Sequence, residues 1–125
     1  MPVIRDADRK NILTIAAELG DLAERARSRK IQSDELQGGN INLSNLGGLG
    51  TTYFSPIVAW PHVAVVGLGR ASVEAVHQGG AFAPHLILPL SVSYDHRVID
   101  GAEAARFLRW MAEAFEEPML LALEG

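Results

Sequence analysis

Residues 90–110 read LSVSYDHRVIDGAEAARFLRW, and the change of pattern inside this stretch decides the fold. Its first residues close an apolar run, HLILPLSVSYD (residues 85–95), that reads as a strand. Pro89 within that run has no N–H to give a ladder, which suggests an edge position or a bulge. From about Asp100 to about Glu117 the period changes to that of a helix, with Ala104, Leu108, Met111 and Phe115 as the apolar stripe. Asp100 with Glu103 three positions on resembles a capping box, and Pro118 stops the helix. The stretch is therefore a strand, a short loop carrying His96, and a capped helix.

Upstream, HVAVVGLGRASVEAV (residues 62–76) reads as one strongly β segment whose near-continuous apolar run predicts burial on both faces. HQGGAFAP (residues 77–84) is a turn signal, so a hairpin into the next strand is expected. NINLS (residues 40–44) reads as a short strand. The following NLGGLGTT is a glycine-rich loop, where positive φ angles or a close backbone approach are expected. Near the N-terminus, DADRKNILTIAAELGDLAERARSRK (residues 6–30) spaces Ile12, Ile15, Ala16, Leu19, Leu22, Ala23 and Ala26 as a helix, with Asp6 or Asp8 as its cap. Helix, strands, helix in that order predicts an α+β fold with a mixed or mainly antiparallel sheet flanked by helices.

The 125 residues suit one domain, and 48% hydrophobic with 21% charged residues is ordinary for a globular protein. A net charge of −4 without a basic cluster argues against nucleic acid as the main partner. The absence of cysteine removes disulfides, thiolate metal sites and a cysteine nucleophile. The opening MPVIRDADRK lacks the apolar run of a secretory signal, and no stretch approaches a membrane span. A soluble, cytoplasmic protein with no membrane partner is the expectation.

Spacing alone leaves His96 with two readings. In one it lies in a strand-to-helix loop whose only notable feature is the Asp100 cap. In the other it is a general base, since such loops present side chains at a sheet edge and imidazole exchanges protons near neutral pH. No metal is expected, because one histidine and one carboxylate do not make a ligand set, and His62, His77 and His85 form no array with them. Ser44 stands among glycines but lacks the G-x-S-x-G turn of a hydrolase nucleophile. GLGRAS (residues 67–72) has Gly67 and Gly69, but Ser72 replaces the third glycine of a dinucleotide fingerprint.

Longer strings are more specific than these motifs. SYDHRVIDGAEAARF (residues 93–107) resembles the C-terminal signature of the dihydrolipoamide acyltransferases, the acyl-transferring components of 2-oxoacid dehydrogenase complexes. LQGGNINLSNLGGLGTTYFSPIV (residues 36–58) resembles the glycine-rich serine segment of the same family, although GGNIN departs from the threonine and phenylalanine often found there. PVIRDADRKNILTIAAELGDLAERAR (residues 2–27) resembles the strand and helix that precede it. The flanks look most like the acetyltransferases of bacterial pyruvate dehydrogenase complexes. The resemblance spans essentially the whole chain but only the C-terminal half of the family's catalytic domain, without lipoyl or peripheral-subunit-binding domains.

This resemblance implies a chloramphenicol-acetyltransferase-like fold and acyl transfer between dihydrolipoamide and coenzyme A. His96 would take the proton of the attacking thiol, Ser44 would donate to the oxyanion, and Asp100 would orient the histidine loop as well as cap the helix. Ser44, Asn45 and Gly69 match positions that line the family's coenzyme A site. Coenzyme A and the lipoyl group are then substrates, with no tightly bound cofactor. The implied partners are further copies of the chain, in a trimer or trimer-based cage whose sites combine histidine and serine across subunits. A lipoyl domain would be acyl donor, and a missing N-terminal half would complete the domain. The apolar tail PMLLALEG would anchor the cage. The alternative is a non-catalytic module that keeps only the oligomer-forming role.

Overall fold

A computed structural model describes residues 1–119 and residue 121 of the chain. It forms two units, Met1–Asn40 and a second that begins at Ile41.

The first unit holds helix α1 (Ile12–Arg27), preceded by a turn at Ala7–Arg9 and followed by one at Ser33–Leu36. The expected cap residues are corrected. Asn11, not Asp6 or Asp8, caps α1, its side chain accepting from Thr14 N at 2.9 Å. Asn11 has the extended backbone a cap requires, whereas Asp6 sits in the left-handed region at φ 48° and leads the preceding turn. The expected strand ahead of α1 is also corrected. No strand forms there among the described residues, and Val3 N donates instead to Glu35 O at 2.9 Å. Arg25 joins α1 to the second turn through a 2.6 Å ion pair with Glu35. Of the expected stripe, Leu22 is buried and Ile15 and Ala23 are half-buried, while Ile12 and Leu19 are exposed.

In the second unit, strand β1 (Asn42–Asn45) runs parallel to β2 (Ala64–Leu68), and β2 pairs antiparallel with β5 (Leu90–Tyr94), giving a mixed sheet of order β1-β2-β5. Ala64, Val65 and Val66 of the central strand are the heart of the core. Helix α2 (Gly101–Glu116) packs on β5 and buries Ala104 and Ala114. Leu108 and Met111 are half-buried as the stripe predicts, but Phe115 is exposed. A separate hairpin joins β3 (Ser72–Gln78) to β4 (Ala81–Ile87) through Gly79-Gly80, with φ of 61° and 86°. Positive φ at both turn residues matches the twist of a two-residue hairpin, and glycine supplies it without strain.

The α+β architecture with a mixed sheet is as expected, but two long β segments are each two strands. HVAVVGLGRASVEAV divides into β2 and β3, and HLILPLSVSYD falls partly in β4 and partly in β5. The breaks face one another. Gly69 N donates to Pro89 O at 2.9 Å, and Arg70 N is drawn away to Thr51 O at 2.7 Å. Pro89 is therefore the joint between two sheets rather than an edge residue or bulge. Only β2 is buried as the apolar run predicts; most of β3 is exposed. No helix among the described residues is long and apolar enough to cross a membrane. The proposed anchor PMLLALEG lies largely outside the described residues.

Candidate active site

The loop from β5 to α2 presents His96. Asp95 N donates to Val63 O at 2.8 Å, extending the sheet ladder by one bond, and Asp95 O accepts from Val98 N and Ile99 N, each at 3.0 Å. The chain thus turns tightly around His96, whose side chain is exposed. Its ring lies 5.6 Å from that of Tyr94. A Cβ placed on Gly101 would stand 3.6 Å from His96 Nε2 and 3.4 Å from Tyr94 Oη, so the imidazole rests over the first residue of α2. It makes no hydrogen bond to a described residue and is available to a ligand.

Asp100 occupies the N-cap of α2. Its Oδ1 accepts from Ala102 N at 2.6 Å and Glu103 N at 3.1 Å. Asp100 caps the helix as read from the sequence, but Glu103 takes part only through its backbone N–H and returns no side-chain bond to Asp100 N among the described residues, so the expected capping box is half-formed; no hydrogen bond ties Asp100 to His96. The two residues bracketing His96 are tied instead. Arg97 Nε donates to Asp95 Oδ1 at 2.9 Å, Arg97 Nη2 to Oδ2 at 2.6 Å, and Arg97 N to Oδ1 at 3.0 Å. The guanidinium, and after it the backbone N–H, hold the Asp95 carboxyl at a pKa of about 2. Sequence reasoning missed this pair; its signal was the D-x-R spacing around the histidine. A cleft of about 220 Å³ beside it is lined by Val58, Trp60, His62, Asp95 and Arg97.

Ser44 lies on β1 at the level of Gly67, half-buried. The turn after it is held by its neighbours. Asn45 Oδ1 accepts from Gly47 N at 3.0 Å, and Leu46 N donates to Leu68 O at 3.1 Å. Gly69 is buried against the carbonyl oxygen of Thr52, with no room for a Cβ, and its own carbonyl oxygen would stand 2.7 Å from a Cβ on Gly47. These glycines let the serine loop close over the end of β2.

Ser44 and His96 are not brought together within the chain. Asp95 is level with Val63 and Ser44 with Gly67, at opposite ends of β2. Four residues of strand and two strand spacings separate the backbones of Ser44 and Asp95 by roughly 16 Å. A seryl and an imidazole side chain do not span that distance around one reacting carbonyl.

The family profile for 2-oxoacid dehydrogenases acyltransferase (catalytic domain) matches residues 1–123. The chain is 50% identical over 123 residues to the dihydrolipoyllysine-residue acetyltransferase component of the pyruvate dehydrogenase complex of Pseudomonas aeruginosa, covering 98% of this chain and 22% of that protein. It superimposes with a TM-score of 0.93 and 49% identity on a crystal structure of the Azotobacter vinelandii dihydrolipoamide acetyltransferase that concerns the role of a serine, a histidine and an asparagine in its catalytic mechanism. The match covers 97% of this chain and 50% of that one. A second structure at TM-score 0.93 and 48% identity is the cubic core of the pyruvate dehydrogenase multienzyme complex. A truncated catalytic core from Thermoplasma acidophilum aligns at 0.78 and 39% identity. The chain thus spans about half of the solved cores it matches and less of the full-length relatives. Its mixed sheet, capped helix and end-to-end sequence match place it together with these cores: the chain belongs to the 2-oxoacid dehydrogenase acyltransferase catalytic-domain family.

Proposed function

We propose that this chain carries the histidine and serine of an acyltransferase that moves an acetyl group between dihydrolipoamide and coenzyme A. His96 takes the proton as the attacking thiol adds to the thioester carbonyl. Ser44 donates to the oxyanion of the tetrahedral intermediate, which stabilises charge that exists only near the transition state. The intermediate collapses by expelling the second thiol as its thiolate, and the imidazolium returns the proton to it. Both reacting sulfurs belong to substrates, so the lack of cysteine is no obstacle.

One observation carries this reading. The serine, histidine and asparagine of the Azotobacter vinelandii enzyme are separated by 52 and 4 residues. Ser44, His96 and Asp100 keep both separations. The exposed imidazole and the distance from Ser44 to His96 support a site shared between copies, with the histidine of one facing the serine of another. Exposed apolar residues, among them Phe115, Val73 and Leu86, support a trimer or trimer-based cage. Asn45 and Gly69 contribute to the coenzyme A side of the site, Gly69 by holding the turn rather than by a side chain. A lipoyl domain delivers the acyl group, and an N-terminal half completes the catalytic domain. The bacterial pyruvate dehydrogenase relatives support a cytoplasmic location.

The test is acetyl transfer from acetyl-coenzyme A to free dihydrolipoamide, with His96→Ala as control. Wild type should exceed the control by roughly 100- to 10,000-fold, the range of general base catalysis. Equal rates would reject the catalytic reading and leave the assembly module.

A further inference from the structure

The carboxylate expected to orient the histidine loop, Asp100, is engaged with the helix backbone. The structure offers another device. Asp95 uses its backbone N–H on Val63, just ahead of β2, its backbone oxygen on two amides of the turn, and both carboxylate oxygens on Arg97. Those bonds close around His96 from both sides, while the imidazole has no hydrogen bond to a described residue that would fix it.

We propose that Asp95 and Arg97 form a positioning clamp that sets the direction of the His96 side chain for proton transfer. The inference rests on the acyl-transfer reading above. A bidentate guanidinium–carboxylate pair fixes angle as well as distance, which a lysine cannot reproduce. The residue between the two arms therefore inherits a defined backbone orientation. A displacement of about 1 Å at a reacting group costs on the order of 100-fold in rate, so a loosened clamp is felt in the chemical step without a contact to either substrate.

The experiment uses Arg97→Gln, Arg97→Lys and Asp95→Asn in the native assembly, with two readouts. Arg97 is 87% exposed, so its replacement leaves the core intact. Asp95→Asn keeps an acceptor for Arg97 N. Hydrogen exchange read by mass spectrometry should accelerate several-fold in peptides covering Arg97–Ile99 and remain unchanged in those covering β2 and the body of α2. The kcat for acetyl transfer should fall roughly 10- to 100-fold in Arg97→Gln at unchanged KM, with Arg97→Lys in between. Unchanged exchange would show that the pair does not hold the loop and would overturn the inference. Faster exchange with unaltered kcat would do the same, as would a rise in KM alone, which would assign Arg97 to substrate binding. If wild type and His96→Ala transfer acetyl equally, the acyl-transfer reading fails and this positioning role fails with it, while the exchange data still decide whether the pair orders the loop.

Discussion

Removing the Asp100 side chain separates its structural role from any catalytic one. In Asp100→Ala, Ala102 N and Glu103 N lose their shared acceptor at the first turn of α2. Loss of an N-cap costs about 0.5–2 kcal/mol, typically about 1. For 125 residues the unfolding entropy is about 0.26 kcal/mol per kelvin, so each kcal/mol lowers Tm by about 4 °C. Asp100→Ala should therefore melt roughly 2–8 °C below wild type. Asparagine offers the same acceptor and caps as well as aspartate, losing only the interaction of the negative charge with the helix dipole, about 0.3–1 kcal/mol. Asp100→Asn should then lie within about 4 °C of wild type and keep its acetyl transfer. Thermal unfolding by circular dichroism at one fixed protein concentration reads all three. An unchanged Tm in Asp100→Ala, or an equal drop in both variants, would refute the capping argument.

Gly69→Ala would drive a methyl group into the Thr52 carbonyl, where only backbone movement could make room. Overpacking of this kind costs about 1–3 kcal/mol or more, so the same melting assay should show a fall of at least about 4 °C; an unchanged Tm would show that the serine loop does not need the close approach. The Asp95 carboxyl should titrate near 2 in the native protein and return toward 3.8 in Arg97→Gln, as followed by carboxyl NMR. Because the folded-state pKa is the lower one, the stability contributed by this group is present above about pH 4 and is lost as pH falls through about 2; an unmoved titration in the variant would contradict the assigned cause.

The features legible in the sequence are those whose causes are local. Asp100 set the start of α2 within one residue because a cap acts over three positions, and Gly79-Gly80 marked the hairpin because the turn demands positive φ there. The breaks at Gly69 and Pro89 were missed because they depend on contacts with Thr51, Thr52 and each other that no local pattern records. Asn11 outcompeted two nearby aspartates through backbone geometry, not residue type. At the site, Ser44, His96 and Asp100 were readable as residues, but their separation followed only from the register of β1 and β5 on β2. The Asp95–Arg97 pair was visible as letters and silent as geometry until the turn around His96 was known.

The account turns on whether His96 of one copy works with Ser44 of another. Co-expression of His96→Ala with Ser44→Ala tests this directly through acetyl transfer by the mixed assemblies. Each variant alone should be deeply impaired. If the site is shared, random mixing restores both groups in about a quarter of the sites of a cyclic oligomer, and activity should rise to a comparable fraction of wild type. Activity no greater than the average of the two separate variants would contradict it.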